Sequence, residues 1–247
     1  MEIKGKYAQE FFLSEILGQE VIISAPSFFF DLAKATLNGW SFVSASDELN
    51  TSDISVVFED GKYLINSITL SNPKIVYDLL DALNEFFLCV SYLICNKNTN
   101  FKLLHCSAFN ENSDNIIIVG LKNSGKSRLV YSKAKTGDLI YADDLLLWSQ
   151  KDSIFTSIGL PLRLRKTKEL IEERSIKGKF FIGESILYSH SKHFNIAPLG
   201  TNFELDKVLF IGGRFQVKNI PIFKFFSFLK NYIIDEEFYQ LKKKTIL

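Results

Sequence analysis

The chain has 247 residues, 47% hydrophobic and 23% charged, with a formal net charge of +1. This is the composition of a globular protein with enough apolar residues for a core, and it excludes a disordered or collagen-like chain. The balanced charge supplies no global field to draw in nucleic acid or an acidic membrane, so neither is expected as a partner.

The N-terminal MEIKGKY lacks the apolar run of a signal peptide. Three cysteines, Cys89, Cys95 and Cys106, show no metal-ligand spacing. An odd number of thiols without an export signal predicts reduced, buried cysteines and a cytoplasmic location. Along the first seventy residues, EVIISA and GWSFVSA read as strands. ISVVFEDGKYLINSI reads as a hairpin turning at Asp60-Gly61.

Residues 73 to 95 read as a helix, with Asp78, Asp81, Asn84 and Glu85 on its polar face and Val76, Leu79, Leu80, Leu83 and Phe87 inward. Its most apolar part, FFLCVSYLIC, is shorter than the roughly twenty residues a bilayer span needs, so no transmembrane segment is expected. Residues 96–100, Asn-Lys-Asn-Thr-Asn, read as a linker.

FKLLHCSAF reads as a strand, and the turn-rich NENSDN makes a hairpin that delivers IIIVG into Gly120. A short helix over Ser127 to Thr136 is predicted, capped by Gly137, and DLIYA returns as a strand to Asp143-Asp144, with LLLWS after it. The C-terminal third holds strand-like FFIGESILYS and KVLFIGGRF. It ends in a tail whose aromatic residues, Phe225, Phe226 and Phe228 with Leu229, suit packing on the core, with a membrane-surface helix as the alternative.

Gly120-Leu-Lys-Asn-Ser-Gly125-Lys126-Ser127 fits GxxxxGK[ST] without a mismatch, between a strand and a helix. The glycines let the backbone curl so that successive N–H groups face phosphate oxygens, and the helix start adds its unpaired donors. Lys126 can place a charge near the β- and γ-phosphates and the Ser127 hydroxyl can ligate Mg²⁺. The expected nucleotide contacts are Gly120, Asn123, Ser124, Gly125, Lys126, Ser127 and Arg128. Asp143-Asp144 ends the next strand sixteen residues after Ser127. One carboxylate can hold the metal and the other can accept a proton, while a pair of solvated turn residues is the plainer alternative.

The stretch from Leu103 to Trp148 resembles the catalytic domain of the HPr kinase/phosphorylase family. It carries LLHCSAF, IIIVGLKNSGKSRLV and DLIYADDLLLW in that order, with weaker likeness in GLPLRLRK and KVLFIGGRF. The β-rich N-terminal part is similar to HPr kinase-related proteins of modified-peptide biosynthesis, among them kinases of lasso peptide precursors. The resemblance implies an α/β (α+β) chain. A small β-rich domain with one helix (1–97) would precede a phosphoenolpyruvate carboxykinase-like P-loop kinase domain (98–247).

It also implies ATP, Mg²⁺ and transfer to a serine hydroxyl of a peptide or small protein. Asp143 would then be the catalytic base, Asp144 and Ser127 the metal residues, and His105 the active-site histidine. Where the family has a further loop glycine, this chain has Lys122 and Asn123, and the family's metal-binding glutamate signature is not recognisable. Glu169, Glu172, Glu173 and Glu184 remain open for that role. Arg163, Arg165 and Arg214 can steady phosphates or substrate, with ordinary surface positions as the alternative. A nucleotide-binding regulatory or assembly protein and a small-molecule kinase, on free serine or a sugar, are the rival functions. The oligomeric state, self-association included, is open.

Overall fold

In the computed structural model, which describes residues 9–45, 51–121, 123–173, 176–212 and 216–234, short strands outnumber helices from end to end. β1 (Gln9–Ile16) and β2 (Gln19–Pro26) pair through a turn at Leu17-Gly18, both at positive φ (50° and 76°), a geometry that matches the strand twist. After α1 (Ser27–Thr36) and β3 (Val43–Ser44) come β4 (Ile54–Glu59) and β5 (Lys62–Ser67), which turn at Asp60-Gly61 as predicted. With β6 (Lys74–Val76) they form a six-stranded sheet in the order β3-β1-β2-β4-β5-β6. GWSFVSA yields only the two residues of β3.

The helix expected from residue 73 starts later, as α2 (Leu79–Lys97). β5 draws Lys74–Val76 into the sheet edge, and Asp78 then fixes the helix start. Its carboxylate accepts from the amides of Leu80 (2.8 Å) and Asp81 (3.2 Å), a cap worth about 1 kcal/mol. Among the described residues α2 is the one helix long and apolar enough to cross a bilayer by length and composition. Here it is a core helix. Leu83, Phe86, Val90 and Leu93 are buried, and Phe86 meets Phe29 edge-on at 5.5 Å. One apolar cluster joins Phe12 and α2 to Leu103, Leu145 and Tyr188, so the segments on either side of residue 97 share a core.

The rest of the chain builds three smaller sheets. β7 (Phe101–His105), β8 (Ser107–Glu111) and β9 (Asp114–Gly120) lead to α3 (Lys126–Thr136), β10 (Ile140–Ala142) and β11 (Leu145–Ser149). There follow β12 (Phe155–Thr156), β13 (Arg163–Arg165), α4 (Lys168–Glu172), β14 (Phe180–Ile182) and β15 (Ile186–Ser189). The last are β16 (Asn202–Phe203), β17 (Lys207–Ile211), β18 (Val217–Ile220) and α5 (Ile222–Phe228). The orders are β10-β8-β9-β17-β18, β16-β12-β11-β7 and β13-β15-β14. The molecule is thus a mixed α/β protein with several sheets and few helices.

The single strand expected at FKLLHCSAF is broken at Cys106. Its first half pairs with β11 in the four-stranded sheet, and its second half pairs with β9 and β10 in the five-stranded one. The chain changes sheet a second time between Ala142 and Leu145. These two crossings lie side by side and create a fork. At the C-terminal end, Phe225 and Leu229 are buried in the core while Phe223 and Phe228 stay exposed. The tail beyond Ile234 lies outside the described residues.

Candidate active site

The glycine loop hangs from the end of β9, which runs parallel to β17 with Gly120 opposite Ile211. A Cβ on Gly120 would sit 2.4 Å from the Ile211 carbonyl oxygen, so the close strand approach admits glycine alone. Asn123 (φ 67°) and Gly125 (φ 97°) both take the left-handed conformation, which turns backbone N–H groups toward a common concavity. Asparagine tolerates that region better than other non-glycine side chains. Lys122 lies outside the described residues. α3 begins at Lys126, whose ammonium donates to the carbonyls of Gly120 (3.1 Å) and Leu121 (3.3 Å) and is nearly enclosed.

His105, Asp143 and Asp144 occupy the fork between the two sheets. Leu145 faces His105 in β11 and β7, while Ala142 faces Ala108 in β10 and β8, so the aspartates fill the step between them. The buried Ser107 hydroxyl ties the step down by donating to the Asp143 carbonyl. His105 Nε2 lies 2.9 Å from Asp144 Oδ1, and Arg163 Nη1 lies 3.4 Å from Asp144 Oδ2. Asp143 points inward. It accepts the Arg163 backbone N–H at 2.8 Å through Oδ2, and its buried Oδ1 has no hydrogen-bond partner.

The two carboxyls are pushed apart in acidity. Burial raises Asp143 to about 7 and the charge of Asp144 adds to the rise, against the Arg163 amide and the nearby Ser127 hydroxyl. Burial works against ionisation of Asp144 as well. There the hydrogen bond and charge of His105, with Arg163 and Lys126, win and hold the carboxyl down at about 2. Protein surrounds the Asp144 side chain, yet 34% of it still meets solvent, because it lines an open cleft.

That cleft is a cavity of about 620 Å³, the size of a small-molecule site. Of the residues predicted from sequence, Asn123, Ser124, Gly125, Lys126, Ser127, Arg128, His105 and Asp144 line it, as do Arg163 and Arg165. Gly120 and Asp143 stand behind the wall, and none of Glu169, Glu172, Glu173 and Glu184 reaches it. Arg214 lies outside the described residues. The sequence reading missed Asn84 and Leu88 from α2, and Leu160, Thr167, Tyr188 and Ile234. No local pattern marks these residues, since Asn84 and Leu88 reach the cavity through the packing of α2 on β7 and the other four come from segments far apart in the chain.

Among the described residues, no group of three or more His, Cys, Asp or Glu side chains is placed to hold a metal ion. What the site offers is the Ser127 hydroxyl beside a buried carboxylate oxygen without a partner. Such a sparse donor set suits Mg²⁺, which keeps its waters and takes phosphate oxygens, better than a resident structural metal. The cysteines contribute nothing here. All three are free, with burial raising Cys89 and Cys95 to about 12 and Cys106 further still.

Comparison of the chain with protein-family models and with curated proteins finds no match. The chemistry of the site has therefore to be read from its own residues.

Proposed function

We propose that this protein is a kinase that transfers the γ-phosphoryl group of ATP to a serine hydroxyl of a peptide or small protein. Its nucleotide domain would be phosphoenolpyruvate carboxykinase-like, as the likeness to the HPr kinase/phosphorylase family implies. One observation carries the reading. The GxxxxGKS loop, the histidine of β7 and the aspartate step after β10 come from separate stretches and meet at one cavity.

The loop amides and Lys126 hold the phosphates, with Lys126 leaving its loop carbonyls for phosphate oxygens. Ser127 and Asp143 would hold Mg²⁺, which when bound neutralises phosphate charge. This placement exchanges the roles expected from the sequence, because Asp143 lies beside the Ser127 hydroxyl while Asp144 is the carboxylate that lines the cavity. Asp144 is the carboxylate on the wall, and His105 orients it.

In transfer, the acceptor oxygen bonds to the γ-phosphorus as the bond to the bridging oxygen breaks and its electron pair leaves with ADP. The hydroxyl proton passes to Asp144. His105 does most to hold Asp144 ionised, with Arg163 and Lys126 adding to it, and phosphates arriving beside those last two would offset their share. The protein's part is mainly positioning and charge compensation.

The test is incubation with γ-labelled ATP and Mg²⁺ against serine peptides, free serine and sugars. Label in peptide serine supports the reading. Label confined to small molecules favours the small-molecule kinase, and ATP binding without transfer favours the regulatory protein.

A further inference from the structure

Resting on the phosphotransfer reading, the two unlike flanks of the cavity bear on the acceptor. One flank belongs to the core around α3. There Leu164 and Leu170 pack with Val130 and Tyr131, and Arg128, Arg165 and Thr167 stand at the rim. The other belongs to the core around α2, where Phe87 forms the floor and the half-buried Leu88, Leu160 and Ile234 form the surface. His105 and Asp144 sit where the α2 flank begins, since Leu145, the residue after Asp144, is already part of that core.

Phosphoryl transfer needs the attacking and leaving oxygens roughly in line across the phosphorus. A triphosphate on the glycine loop lies at the start of α3, so its leaving oxygen is on the α3 side and the attacking oxygen must come from the α2 flank. The charged groups bordering that flank, His105, Asp144 and Arg163, are engaged with one another, and the surface beyond them is largely apolar. Its polar groups are Asn84 and Tyr188, and the Tyr188 hydroxyl already donates to Asn84 Oδ1 at 2.9 Å. A free amino acid would carry an ammonium and a carboxylate onto this largely apolar wall, whose bordering charges are already paired, and a sugar a set of hydroxyls. Both are costly to bury without partners.

We infer that the acceptor is a hydroxyl borne beside a bulky apolar side chain, a serine flanked by a residue such as leucine or phenylalanine. Leu88 and Leu160 are the residues that select it. In the transfer the serine oxygen gains the γ-phosphorus, its proton goes to Asp144 and ADP departs.

The experiment compares serine peptides whose neighbouring residue is leucine, phenylalanine, glycine, lysine or aspartate, with free serine and glycerol alongside, using labelled ATP and the full chain. The leucine and phenylalanine peptides should exceed the glycine peptide by about 10–10²-fold in kcat/KM. Leu88→Ala should cut that ratio about tenfold, Leu160→Ala should act likewise, and Leu88→Met should restore it. The ratio is internal to each preparation, so a partly unfolded variant does not mimic the result. Equal rates across the peptides overturn the acceptor assignment and leave the peptide-kinase reading standing, whereas better transfer to free serine or glycerol, or ATP bound with no peptide phosphorylated, overturns both. Failure to bind Mg·ATP at all overturns the underlying reading instead.

Discussion

Asp143→Asn should make the nucleotide-free protein more stable at neutral and alkaline pH. Asp143 is 3% exposed, and its Oδ1 lacks a partner. Burial lifts its carboxyl from 3.8 to about 7. A folded pKa above the unfolded one means that the native state binds the extra proton between those values. Stability is therefore full below about pH 4 and falls as pH rises to about 7. At 1.36 kcal/mol per pH unit the loss amounts to at most about 4 kcal/mol, less whatever the site recovers by relaxing.

Asparagine keeps an oxygen for the Arg163 amide and has no charge to desolvate. Above about pH 7.5 its melting temperature should exceed the wild type by roughly 5–10 °C, at about 2–4 °C per kcal/mol for a chain of this size. The two should converge near pH 4. Calorimetry of both proteins without nucleotide between those pH values is the assay. Adding Mg·ATP should then narrow the gap, because the cation compensates a charge that the variant lacks. Parallel pH profiles for the two proteins would refute the claim that Asp143 is a buried carboxyl held short of a partner.

Three further outcomes follow from the same geometry. Lys126→Ala should weaken Mg·ATP binding by about 10–10²-fold and cut turnover further, as titration calorimetry and labelled transfer would show; unchanged values in a folded protein would sink the loop's role. Asp144→Asn should lower transfer by about 10²–10⁴-fold while Mg·ATP affinity changes little. If it is Asp143→Asn that spares affinity and abolishes transfer, the two aspartates have been assigned the wrong way round. Gly120→Ala should cost about 1–3 kcal/mol by denaturant unfolding, since its methyl group meets the Ile211 carbonyl and forces β9 away from β17.

What was legible in the sequence was whatever is encoded locally. Asp60-Gly61 specifies its turn because both residues accept positive φ, and Gly137 ends α3 in the left-handed conformation for the same reason. The loop could be read because each fixed position meets a short-range demand. The aspartate step could be located, but the unlike surroundings of its two carboxyls could not. Two neighbouring acids look alike in a string, and they differ here only because the chain changes sheet between Ala142 and Leu145, turning one carboxyl into the core and the other into the cleft. That change depends on β7 and β8 parting at Cys106, and FKLLHCSAF carries no glycine, proline, asparagine or aspartate to announce it.

The α2 flank was illegible for a related reason. Leu88 has the signature of any core leucine, and only the packing of α2 on β7 leaves part of it facing the cavity. A sequence can therefore mark a curved loop of the kind that suits a phosphate, because backbone curvature has a glycine cost that leaves a mark. It is much less able to mark what the opposite wall of the cavity would accept, because an apolar wall is built from residues that every core uses.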